Sequence, residues 1–279
     1  MKQAKSSSRA KKRAAKAGRR ASVSRSRRPV KVKGVPGSKA SGRPFIDSSK
    51  LSIIIAAYNE EKNITATIAR VVKVVPKAEI IVVNDGSRDN TAAVVRQAQK
   101  KFKQVKLITD DINRGKGYAI LQGVNAASRP YQAQVDADSQ FQPEELPELV
   151  APVMDGACDI TFATRFRPGA KVDRGSLTGI RRLANWTVSG LTSVLCGQRL
   201  TDVNAGFKAW TTKGIQKVDF RCWHFAYEPE IAILANKRGL RIKEIPIHYT
   251  GRQGGITSVK LIRDGVIIPL FLFKTKLFR

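Results

Sequence analysis

Leu51-Ser-Ile-Ile-Ile-Ala-Ala57 and Glu79-Ile-Ile-Val-Val-Asn84 are short, β-branched, nearly continuous apolar runs, the pattern of strands buried on both faces. Between them Ile64, Ile68, Val71, Val72 and Val75 recur at helical spacing until Pro76 ends the pattern. A helix carrying Val94, Val95, Ala98 and Phe102, a strand at Val105–Thr109, a helix from Gly117 to Ala127 and a strand at Tyr131–Asp136 continue the alternation. Strand and helix in strict succession predict an α/β fold with a mostly parallel sheet covered by helices on both faces. Ligands of such folds sit beyond the carboxyl ends of the strands. Three polar clusters follow those ends: Tyr58-Asn59-Glu60, Asn84-Asp85-Gly86-Ser87 and Asp136-Ala137-Asp138.

The chain upstream of Leu51 has a different character. Residues 1–50 carry 17 Lys and Arg against one acid, Asp47, and so hold over half of the net charge of +29. With almost nothing to bury, this segment is expected to be a disordered basic arm that binds phosphates of lipid, nucleic acid or another polyanion. Apart from Phe45 near its end the arm has no aromatic residue for stacking, and nucleic acid is the less favoured partner. Cys158, Cys196 and Cys222 are odd in number and far apart, which excludes a disulfide scaffold and predicts reduced cytosolic thiols. The longest apolar run, Val266–Phe273, is interrupted by Pro269 and is too short to span a bilayer. No apolar stretch follows the amino-terminal charges, so no secretory signal is expected.

Asp136 and Asp138, with Gln140 behind them, place two carboxylates and an amide oxygen on one tight turn, a donor set suited to Mg²⁺ or Mn²⁺ bridging nucleotide phosphates. A solvated turn before the helix start at Pro143-Glu144-Glu145 is the bland alternative. Asp85 is placed to accept from a base or ribose, or to cap the next helix, and Glu60 has the same two readings. There is no Gly-x-Gly-x-x-Gly after either strand and no phosphate loop ending in Gly-Lys-Ser/Thr, which counts against dinucleotide and P-loop chemistry.

Taken together, Ala56-Ala-Tyr-Asn-Glu60, Val83-Asn-Asp-Gly-Ser87, Gly115-Lys-Gly117, Asp136-Ala-Asp-Ser-Gln140 with Pro143-Glu144, and Gly206-Phe-Lys208 resemble the family 2 glycosyltransferases of GT-A fold. Within them the chain is most similar to the dolichyl-phosphate mannose synthase and polyprenyl-phosphate glycosyltransferase branch, over about residues 51–260. The resemblance implies that Ala56, Tyr58, Glu60, Asp85, Lys116 and Asp136 bind the nucleotide sugar and that Asp136, Asp138 and Gln140 hold Mg²⁺ or Mn²⁺. It further implies that Arg165 meets an acceptor phosphate with Arg181 or Arg182, so that Asp138, Arg165 and Arg181 carry catalysis, and that Arg252 belongs to a loop closing over the donor. Glu228 and Glu230 match an acidic helix start. The chain departs from the pattern at Ala56 and Asn84, where proline and aspartate are usual, and at Thr257-Ser258, where only Lys260 could replace a missing lysine.

A lipid phosphate is already an oxyanion at neutral pH and needs only to be held in line, whereas a sugar hydroxyl needs a general base, for which Glu228 or Glu230 would serve. Arginine forks suit the holding. The competing expectations are transfer to a saccharide hydroxyl of a cell-surface glycan and, outside enzymes, a polyanion-binding protein acting through its arm. Sixteen uncharged residues between Arg182 and Arg199, and the 261–279 segment with its Lys274, Lys276 and Arg279, read either as interfacial amphipathic segments or as core helices. With the arm they predict a cytoplasmic protein, peripheral at the inner face of an anionic membrane. His224 and His248 are expected to be structural.

Overall fold

The structure, a computed structural model, describes residues 42–222, 224–251 and 261–279. Most of the basic arm, together with Arg252, Thr257, Ser258 and Lys260, lies outside the described residues. The packed chain begins upstream of Leu51: Ile46 rests against the core, and Asp47 accepts from the Ser49 amide to start a single 3₁₀ turn over Ser48–Lys50.

The expected alternation runs β1 (Leu51–Ala57), α1 (Ile64–Val74), β2 (Glu79–Asp85), α2 (Thr91–Lys101), β3 (Val105–Asp110), α3 (Lys116–Ala126) and β4 (Tyr131–Gln134). β4 stops two residues short of the expected Asp136: the Val135 amide still reaches Ile54 O at 3.0 Å, and the chain then leaves the sheet. The rest comprises α4 (Leu146–Met154), β5 (Ile160–Thr164), β6 (Lys171–Val172), α5 (Gly179–Cys196), β7 (Lys208–Thr211), α6 (Thr212–Val218), α7 (Tyr227–Lys237), β8 (Ile242–Pro246), β9 (His248–Tyr249) and α8 (Leu261–Phe278).

Seven strands form one sheet in the order β3-β2-β1-β4-β7-β5-β8, parallel except for β7, which runs against β4 and β5. A separate parallel ladder joins β6 to β9. Side chains alternate across β1: Ile53 and Ile55 enter a core shared with α1, α2 and α4, while Ile54 enters one shared with α3, α7 and α8. Both faces are thus covered, and Trp210 of β7, fully buried, donates its indole N–H to Gln132 at 2.9 Å. The three cysteines are free.

α5 and α7 pack together and α8 lies against both, although they obey opposite patterns. α7 buries every residue from Tyr227 to Ala235. α5 buries Asn185, Ser189, Thr192 and Cys196, while Trp186 is 73% and Val194 79% exposed. α8 sets Leu272 in the core and leaves Leu270, Phe273, Leu277 and Phe278 exposed. Among the described residues, no helix is long and apolar enough to cross a membrane.

Candidate active site

The carboxyl ends of β1, β2 and β4 open into a cleft of about 680 Å³, completed by α5, the start of α7 and part of α8. It gathers Ala56, Tyr58, Glu60, Asp85, Lys116, Asp136, Asp138, Gln140, Arg165 and Arg181 around one volume. Asp85 accepts from the Arg114 and Gly115 amides at 2.8 Å each, which ties the end of β2 to the start of α3; burial nonetheless pushes its carboxyl above the usual range. Glu60 also has a local duty: its amide donates to Thr91 Oγ1 at 2.9 Å and its carboxylate accepts from Asn63 at 2.8 Å. Both carboxylates therefore line the cleft and hold local structure, but neither caps the helix that follows it: Asp85 bonds the backbone ahead of α3, and Glu60 the Asn63 side chain.

Beyond β4 the chain turns through Asp136-Ala-Asp138-Ser139, with Ser139 in the left-handed region at a φ of 60°. Thr67 on α1 fastens this hairpin, donating to Ala137 O at 3.0 Å and pairing with Ser139 Oγ at 2.8 Å. Gln140, which lines the cleft, donates its amide N–H₂ to Thr250 O at 3.3 Å. Gly206 makes the hairpin's position attainable, because a Cβ there would stand 1.9 Å from Asp136 Oδ2. The Asp136 carboxylate lies directly on that bare backbone.

Behind Asp136 runs an alternating chain of charges. Lys116 Nζ sits 2.8 Å from Asp136 and 3.2 Å from Glu228, and Glu228 in turn lies 3.4 Å from the fully buried Lys208. Tyr227 donates its hydroxyl to Glu228 at 3.0 Å and accepts from Gln134 at 2.8 Å. Burial pushes the Asp136 carboxyl up to about 6; Lys116 opposes that push, and the neighbouring Asp138 and Glu228 charges reinforce it. Burial would raise Glu228 as well, but Lys208 and Lys116 outweigh it and hold Glu228 below the ordinary glutamate range.

Asp136, Asp138 and Gln140 fit a hard divalent cation. Mg²⁺ and Mn²⁺ sites use one or two carboxylates and take their other oxygens from substrate phosphates and water. Among the described residues, no group of three or more His, Cys, Asp or Glu side chains forms a complete protein cage. The donor set accordingly suits a cation that arrives with a diphosphate.

The opposite wall is basic and already paired. Arg165, just after β5, makes a two-pronged bond to the fully buried Asp202, with Nε and Nη2 at 2.7 and 2.8 Å, and its backbone amide adds a third at 3.0 Å. The Tyr249 ring lies 4.8 Å beneath the guanidinium. Asp202 is itself set by Glu244 of β8, which accepts from the Thr201 and Asp202 amides at 2.6 and 3.0 Å and pairs with Arg167 at 2.7 Å. Burial works against charge on Arg165, and Asp202 more than compensates, raising its pKa.

The structure separates the two arginines of the first turn of α5. Arg181 lines the cleft, whereas Arg182 lines a groove of about 660 Å³ shared with Trp186 and Arg199. Glu230 is turned away: it accepts from the Arg221 and Cys222 amides at 3.1 and 2.8 Å and pairs with Arg279. His248 holds Asp173 at 2.7 Å and His224 is exposed, so neither enters the cleft. Sequence reasoning did not assign Asp202, Tyr249, Asn185 or Asn204, nor the pairing of Lys208 with Glu228. Asp202 and Asn204 stand just before the recognised Gly206-Phe-Lys208, which was the one available pointer to them.

The sequence pattern of Glycosyl transferase family 2 matches residues 52–221. The polyprenol monophosphomannose synthase of Mycolicibacterium smegmatis is 28% identical over 81% of this chain and 88% of its own length. The undecaprenyl-phosphate mannosyltransferase of Micrococcus luteus is 27% identical over 72% and 84%. Among solved structures, glucosyl-3-phosphoglycerate synthase from Mycobacterium tuberculosis, in complex with Mn²⁺ and UDP-glucose, superposes with a TM-score of 0.63 at 18% identity, covering 82% of this chain and 81% of that one. That likeness is one of fold, the GT-A arrangement of a mostly parallel sheet flanked by helices. With the family's pattern matched along most of the folded chain and its acidic hairpin at the mouth of the cleft, the protein belongs to glycosyltransferase family 2.

Proposed function

We propose that this glycosyltransferase moves a hexose from a nucleotide sugar, of the GDP-mannose or UDP-glucose type, to a polyprenyl phosphate with inversion. The observation that carries the reading is the state of Glu228. It is the cleft carboxylate the hydroxyl-acceptor alternative would need as base, yet two lysines clamp it and lower its pKa. Glu230, the other candidate base, is outside the cleft. An acceptor that arrives as an oxyanion needs no such base. Arg165, braced by Asp202, and Arg181 would hold the phosphate in line, while Lys116 faces the donor side. A divalent cation held by Asp136, Asp138 and Gln140 would neutralise charge on the departing nucleoside diphosphate.

Two relatives whose names specify polyprenol and undecaprenyl-phosphate chemistry support the lipid acceptor. So does the exposed apolar surface of α5 and α8 beside the cleft, which suits a peripheral position at a membrane with the basic arm on the anionic inner leaflet. The test offers labelled nucleotide sugars to the full chain with polyprenyl phosphate or with free glycans, in Mg²⁺, Mn²⁺ or chelator. Metal-dependent label in the lipid fraction is expected. Label entering only glycans overturns the lipid assignment, and undiminished transfer in chelator overturns the cation.

A further inference from the structure

Asn185 and Asn204 form a second polar feature of the cleft, separate from the charged groups already assigned. Asn185 lies on α5, one turn after Arg181, and Asn204 on the segment leading to Gly206, whose backbone supports Asp136. Their amides meet at 2.9 Å, with Asn204 Nδ2 donating to Asn185 Oδ1. Both line the same cavity as Asp136 and Arg181. Asn185 is 6% exposed, and its Nδ2 is buried with no hydrogen-bond partner. Turning both amides over would exchange their roles and still leave one polar atom of Asn185 unmatched.

A buried amide group left unmatched costs stability, and an unmatched one in a cleft is explained by a ligand that completes it. The pair is reached along α5 from the arginine of the acceptor side and along the chain from the glycine under the hairpin of the donor side. We infer that Asn185, braced by Asn204, hydrogen-bonds a hydroxyl of the hexose during transfer and so selects which sugar is moved. The reacting sugar must lie between the donor diphosphate and the acceptor oxyanion, and this amide pair connects those two sides. Its uncharged amide also suits a hydroxyl, which both donates and accepts, while the anions of the reaction have lysine and arginine to meet.

This inference rests on the transferase reading, and its test compares sugars rather than acceptors. Full-length wild type, Asn185→Ala and Asn204→Ala are assayed with the parent nucleotide sugar and with its series of monodeoxy analogues. Transfer to polyprenyl phosphate and release of nucleoside diphosphate to water are both followed. Asn185→Ala is expected to lower kcat/KM for the parent on the order of tenfold to a hundredfold, the range for losing one desolvated hydrogen bond. One monodeoxy donor should be about as poor with wild type as the parent is with the variant, and no poorer with the variant. Asn204→Ala should show the same non-additivity with the same analogue, weakened, which guards against a variant that merely misfolds.

Equal losses for every donor would mean a packing role and overturn the inference. A rise confined to the KM for polyprenyl phosphate would assign the amide to the acceptor and overturn it as well. If no lipid product forms but donor release keeps the analogue pattern, the acceptor assignment fails and the sugar contact stands.

Discussion

Asp136 and Arg165 line one cavity, and their charges are compensated to different degrees. Arg165 has a dedicated counter-ion, a backbone bond to the same carboxylate and an aromatic ring beneath it. Burial raises the Asp136 carboxyl toward neutrality, Asp138 and Glu228 reinforce the rise, and Lys116, which Asp136 shares with Glu228, offsets it only in part. The Arg165 side is built before any ligand arrives and has little freedom left to lose on binding. Among the described residues, the carboxylates around Asp136 outnumber the lysines beside them, a balance that suits a divalent ion. The difference fits the proposed reaction, in which the sugar donor would enter with a cation and the acceptor would bring its own negative charge to a fixed guanidinium.

The largest effect that would break this contrast is expected at Asp138. Asp138→Asn keeps the shape and the acceptor for the Gln140 amide, and removes one charge from the hairpin. Transfer should fall on the order of a thousandfold with the fold intact by circular dichroism; unchanged turnover would mean that the surplus charge has no part in the reaction. Next comes the prebuilt wall. Asp202→Asn strands a buried guanidinium and should cost about 3–5 kcal/mol in denaturant unfolding, with a raised KM for the acceptor and little change in that for the donor.

A smaller effect sharpens the donor side alone. In Gly206→Ala the new methyl would collide with the Asp136 carboxylate and displace it, so Mn²⁺ affinity, read by calorimetry in the presence of nucleoside diphosphate, should weaken about tenfold to a hundredfold. Glu79, at the opposite edge of the sheet, supplies the smallest and a useful reference. Burial would raise its carboxyl, but bonds from Lys106, Ser128 and Ser52 prevail and hold it at about 2 against an ordinary 4.5. Because its folded pKa is depressed, the stability it contributes is fully present above pH 4.5 and is lost as pH falls from there through about 2. Glu79→Gln should flatten that acid limb of the unfolding profile.

The first half of the fold was legible because β1 and β2 are buried on both faces and therefore written in isoleucine and valine. β7 was not: its first residue is a lysine, which reads as solvent-facing, and Glu228, the Ala205 carbonyl and the Phe162 ring make its burial tolerable. α5 was ambiguous for a related reason, since Asn185, Ser189 and Thr192 are buried beside the half-buried Val188, Leu191 and Leu195 while Trp186 and Val194 are exposed, which blurs the pattern from which a core helix is recognised. The acidic hairpin could be read from local spacing, but the partners that set its charge, Lys116 and Glu228, come from distant positions. Arg182 illustrates the limit most simply. It adjoins Arg181 in sequence, and one helical step of rotation carries it to a different groove.

β7 runs against its neighbours, so its amino end meets the edge at which the parallel strands finish. Residues 197–207 therefore enter the chemistry from the preceding connection, whereas the β7–α6 junction emerges at the far edge of the sheet. Anyone grafting new specificity onto this scaffold should recode the segment before Gly206 at Asn204, the position of that connection that lines the cleft. Insertions after Thr211 would leave substrate choice untouched.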